Sequence, residues 1–161
     1  MNLRRELIPP PSDEAKVARL AELAAQIDGA NPGQWEDELN EFNRLAGTNI
    51  PFEEFQGIYG GQDHDTWVRT VLAMQHIFPV KDISRAELVE LARRVMKTEG
   101  EEHEIRFWLE MLALNIPDPK ISDLIFWPGK YFGDGDNTRE FTPEQVVDIA
   151  LARAPVKAGY E

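Results

Sequence analysis

Apolar residues recur along this chain at spacings of three and four, and period-2 alternation is nearly absent. An α-helix turns once per 3.6 residues, so that spacing lines one face. The chain is thereby constrained to helices that bury their stripes against one another. Val17, Leu20, Ala21, Ala24 and Ile27 give the first stripe, which stops near Asp28-Gly29. Asn31-Pro32-Gly33-Gln34 is a start signal, with Asn as cap and Gln three residues on. Trp35, Leu39, Phe42 and Leu45 follow, up to Gly47. Phe52 to Ile58 reads as a short helical turn ending at Gly60-Gly61, and Trp67, Val68, Val71, Leu72 and Met74 make the next stripe.

The second half starts again in the same way. Ser84 and Glu87 form a capping box before Leu88, Leu91, Ala92 and Val95. Ile105, Trp108, Leu109 and Leu112 make the following stripe. Asp118-Pro119 starts a short helix through Ile125, a Gly-rich loop spans Gly129 to Asn137, and Thr142-Pro143-Glu144-Gln145 opens the last helix. Positions also correspond between halves: Ile50-Pro51 with Ile116-Pro117, and Phe52-Glu53-Glu54-Phe55 with Ile121-Ser122-Asp123-Leu124. The expected fold is all-α, with two tandem long-long-short-long four-helix units, a diverged duplication packed as one body. The expected divisions are an extended lead-in over 1–11, a first unit over 12–80 and a second over 81–161.

The net charge is −12, shared by both halves. Such a field repels nucleic acid and anionic membranes and attracts basic partners. No apolar run approaches the roughly 20 residues that span a bilayer. Met1 to Pro11 has no apolar stretch and cleavage site of a secretory signal. Cys is absent, which removes disulfides and thiolate chemistry and fits a reducing cytoplasm.

Catalytic patterns are few. Gly133-Asp134-Gly135-Asp136-Asn137 invites a calcium reading, but Thr138, Arg139 and Gln145 spoil the ligand spacing of a helix-loop-helix calcium site. Asp63-His64-Asp65 holds metal-ligand types, yet adjacent side chains do not converge on one ion unaided. Asp63, His64, Asp65, Asp134 and Asp136 are the residues a metal-dependent hydrolase would use. No catalytic residue, cofactor or metal site is expected, and a binding function is favoured over an enzyme. The sharpest local feature is Ser122-Asp123-Leu124-Ile125-Phe126-Trp127-Pro128. Two large rings ending so short a helix do not easily both point inward. Either at least one stands exposed as a binding anchor, or both close the core of a small domain.

Residues 82–154 resemble the immunity proteins of nuclease colicins and pyocins. That family's short helix reads Ser-Asp-Leu-Ile-Tyr-Tyr-Pro before an acidic Gly/Asp loop, and residues 122–128 followed by Gly133 to Asn137 are similar. Trp108-Leu109-Glu110-Met111 resembles its Phe-Glu-Glu-Met. Phe126 and Trp127 replace both tyrosines, so hydroxyl contacts do not carry over. The resemblance implies a cytoplasmic inhibitor that binds a basic nuclease toxin beside its active site. It implies Asp123, Phe126 and Trp127 as shared contacts, and Glu101, Glu102, Ile105 and Leu109 as specificity residues. A helical adaptor with a non-toxin partner is the rival reading.

Overall fold

The computed structural model describes residues 1–153, so 154–161 of the expected second unit lie outside the described residues. It is all-helical, with no strand among the described residues. Two compact units divide the chain: Pro10–His76, and Met1–Pro9 together with the chain from Ile77 onward. No helix among the described residues is long and apolar enough to cross a membrane.

In Pro10–His76, α1 (Glu14–Ile27) packs against α2 (Glu36–Ala46) and α3 (His64–Met74). Asp13 starts α1 by accepting the Lys16 N–H, and Asp63 starts α3 by accepting that of Thr66. The start signal at Asn31 lies upstream of its helix. Gln34 does bond back to the Asn31 N–H at 3.0 Å, but Gly33, at φ +81°, turns the chain out and α2 begins only at Glu36. The short turn from Phe52 is two 3-10 turns, Phe52–Phe55 and Ile58–Gly60. Phe42, Phe55 and Trp67 form an aromatic triangle with centroids 4.9 to 5.7 Å apart. Around it lie Val17, Leu20, Leu23, Ala24, Ile27 and Val68.

The other unit runs α4 (Arg85–Met96), α5 (Glu102–Asn115), α6 (Ile121–Phe126), α7 (Pro128–Phe132) and α8 (Pro143–Arg153). The expected capping box of Ser84 with Glu87 forms, and the start signal at Thr142 makes another with Gln145. Helix α4 packs on α5 and α8, and α6 on α7 and α8. The buried stripe of α5 is Phe107, Trp108, Met111 and Leu112. It is rotated from the expected one, which leaves Ile105 and Leu109 half-buried at its margin.

Residues 1–9 are not an extended lead-in. Leu3, Leu7 and Pro9 are buried, Arg5–Leu7 make a 3-10 turn, and the Leu7 carbonyl accepts the Trp108 indole N–H at 3.2 Å. Arg4 clasps both Glu87 oxygens at 2.8 Å and reaches Asp82. Apolar residues at 3 and 7 have a helical interval that the Pro9-Pro10-Pro11 run conceals. Leu7→Ala is expected to cost about 2–5 kcal/mol in denaturant unfolding, as for a fully buried leucine, whereas a lead-in would give no change. The bond from Arg4 holds Glu87 below the usual carboxylate range. Its stabilisation is present above that range and lost as pH falls through the lowered value. Arg4→Ala is therefore expected to destabilise the protein at neutral pH and progressively less in acid, read from melting curves across pH.

Candidate partner-binding site

Trp127 closes α6 and opens α7. Its N–H donates to the Asp123 carbonyl at 2.6 Å, and its carbonyl accepts from Lys130 and Tyr131 at 3.0 and 3.1 Å. Pro128 takes the first helical position, where a missing N–H is no loss. Gly133, at φ +76°, ends α7 in the left-handed region. The expected loop over 129–137 is thus a helical turn as far as Phe132. The Pro-first, Gly-last pair was its signal in the sequence. The side chains on the outside of this bend are exposed to solvent. Phe126 is 44% and Trp127 59% exposed, while Ile121 and Leu124 of the same helix are buried.

The bend is fixed from beneath. The Tyr131 hydroxyl donates to Asp118 Oδ2 at 2.7 Å, both residues being buried, and Asp118 Oδ1 takes the Lys120 N–H at the start of α6. Burial and the bond to Asp118 raise the Tyr131 pKa to about 12, so the hydroxyl remains a donor. Arg153 stacks over Tyr131 at 4.8 Å, and Arg139 over Phe132 at 4.7 Å. The Gly129 N–H donates to Asn137 Oδ1, and its carbonyl accepts the Asp134 and Gly135 N–H groups. A Cβ at Gly129 would lie 2.5 Å from the Gly135 carbonyl carbon and 2.6 Å from Asp136 N. Only glycine lets this loop lie against α7.

Asp123, Phe126 and Trp127 therefore share one bend. Asp123 is half-buried, with Lys130 Nζ 3.5 Å from Oδ1 across the turn. Glu101, Glu102, Ile105 and Leu109 lie on or beside the N-terminal part of α5, a helix that also contacts α6. Glu101 and Glu102 are exposed there, where the helix dipole favours negative charge. The Glu101 N–H donates to Glu104 Oε1, and its carboxylate lies 3.5 Å from His103 Nδ1. Asp118, Gly129, Lys130, Tyr131 and Asn137 were missed by sequence reasoning, because their pairings depend on how the chain folds back.

The candidate metal ligands are divided between the two units and already engaged. Asp63 caps α3, His64 Nε2 lies 2.9 Å from Asp28 Oδ2, and Asp65 pairs with Arg69 at 2.6 Å. Asp134 pairs with Arg139, which lowers its pKa to about 2, and Asp136 accepts from Thr138. Among the described residues no group of three or more His, Asp or Glu side chains is placed to hold a metal.

Gly129→Ala is expected to push the 133–137 loop off α7 and cost about 1–3 kcal/mol of stability, the usual penalty of forced overpacking. Amide exchange on the same variant is expected to speed up at Asp134 and Gly135, whose N–H groups lose the Gly129 carbonyl. Unchanged exchange at both would contradict the packing described.

Uncharacterized protein YezA of Bacillus subtilis (strain 168) is 33% identical over 69 residues, covering 43% of this chain and 88% of that protein. No solved structure matches the chain. The family described as colicin immunity protein / pyocin immunity protein matches residues 80–152, which include α4 to α7, the bend at Trp127 and nearly all of α8. Through those residues the chain belongs to the colicin and pyocin immunity protein family.

Proposed function

We propose that this chain binds and neutralises a cognate nuclease toxin, of a bacteriocin or polymorphic-toxin system, through the bend at Trp127. The observation that carries this reading is the pair of solvent-exposed rings, Phe126 and Trp127, on a hydrogen-bonded bend inside the family-matched segment. Large aromatic rings dominate binding energy when a partner removes them from water. The locks on Tyr131 and Gly129 order the bend in advance, so little conformational freedom is lost on binding. Asp123 lies beside the rings, and Glu101, Glu102, Ile105 and Leu109 on α5 select among partners.

Charge supplies the rest of the mechanism. A net charge of −12 steers the chain onto a basic nuclease and opposes approach of nucleic acid once it is bound. Inhibition is then by occupancy and repulsion, with no chemical step and no cofactor.

Trp127→Ala tests this in the full chain. Affinity for the nuclease toxin domain is expected to fall by about 2–4 kcal/mol, the range of an aromatic hot spot. The melting temperature is expected to stay near the parent value, because the ring is already mostly in water. Unchanged affinity would remove the bend from the interface, and a collapsed fold would show the ring to be structural. Glu102→Gln is expected to act mainly on the association rate and its salt dependence.

A further inference from the structure

We propose that residues 52–60 form a second docking surface, on the unit Pro10–His76, for a lysine- and arginine-rich protein surface, centred on Tyr59 and independent of the bend at Trp127. Tyr59 is the most exposed large apolar side chain among the described residues, at 73%. Its backbone, in contrast, is closely held. The Asp28 carboxylate at the end of α1 accepts the Gly57 N–H at 2.9 Å and the Tyr59 N–H at 3.0 Å. The Asp28 side chain is itself buried, and His64 Nε2 closes on its second oxygen at 2.9 Å. Burial works against this carboxylate's charge. The bonds from His64, Tyr59 and Gly57 outweigh that and hold its pKa below the usual range.

Gln56 completes the staple from the other side. Its amide donates to the Ile27 and Phe52 carbonyls and accepts the Gly29 N–H at 2.8 Å. Two tight turns are thus locked to the end of α1, while Phe55 and Ile58 point into the core and Tyr59 points out. An exposed tyrosine on an ordered backbone meets the requirement for a hot spot, since it brings a large amphipathic ring and little entropy to lose.

The occupant follows from charge. Pro10–His76 carries 4 Lys and Arg against 12 Asp and Glu, so this unit alone holds −8 of the chain's −12. Arg19 and Arg69 are each committed to two carboxylates of the same unit. Glu53 and Glu54 are exposed in the turn that leads to Tyr59. Their field opposes nucleic acid and favours a basic protein surface.

The test uses the full chain and a labelled arginine- and lysine-rich peptide, with a single-stranded oligonucleotide of equal length as the second probe. Tyr59→Ala is expected to weaken peptide binding by about tenfold or more, with an unchanged melting temperature. Tyr59→Phe is expected to keep most of the affinity. Amide shifts on titration are expected to centre on residues 52–60. Glu53→Gln with Glu54→Gln is expected to flatten the salt dependence. Equal binding by Tyr59→Ala, with shifts spread over the acidic surface, would overturn the proposal. So would oligonucleotide binding with the same dependence, self-association that vanishes in Tyr59→Ala, or loss confined to Trp127→Ala. Because the toxin-binding reading is tested at Trp127 with a different probe, either can fail alone.

Discussion

The peptide groups on either side of Trp127 are each used by a different helix. The N–H closes α6 on Asp123, and the carbonyl opens α7 toward Lys130 and Tyr131. With both backbone groups committed, the residue has little freedom, and the bend turns its ring outward. The exposed placement of the Trp127 ring depends on that junction. The Tyr131–Asp118 bond and the contact of the 133–137 loop with Gly129 keep α7 in place, and α7 in turn keeps the bend sharp. At 3.6 residues per turn Phe126 falls on the side of α6 away from the buried Ile121 and Leu124, and Trp127 at the bend is exposed beside it.

In the unit Pro10–His76 a side chain does comparable work. The Asp28 carboxylate gathers two backbone N–H groups and an imidazole, which orders the turns around Tyr59 without a regular helix. Carboxylates recur in this structural role. Asp13 and Asp63 start helices, Glu87 and Glu104 complete caps, and Asp118 holds a buried hydroxyl. The acidity of the chain therefore has two parts. Some of it is spent on backbone donors and arginines, and the remainder, as at Glu53, Glu54 and Glu102, faces solvent and sets the long-range field.

The first nine residues show how a unit can recruit a distant segment. Leu3 and Leu7 fill its core, and Arg4 binds Glu87, which also completes the capping box of α4. Opposite charges and apolar side chains find each other across the intervening Pro10–His76, because the entropy of closing a loop grows only slowly with its length.

By itself the sequence determined the helical class, since the three-four spacing of apolar residues serves no other regular structure. It also determined the starts of α4 and α8, because Ser84 and Thr142 act on N–H groups three residues away. The short-helix motif made residues 122–128 legible as a site candidate for the same reason: its order is local. Only the tertiary structure decided that Phe126 and Trp127 stand exposed while Tyr131 is buried, that Ile105 and Leu109 fall at the margin of the α5 stripe, and that residues 1–9 join the later unit. Each of those outcomes depends on which surfaces meet, and a partner remote in sequence leaves no periodic trace in the residues it covers.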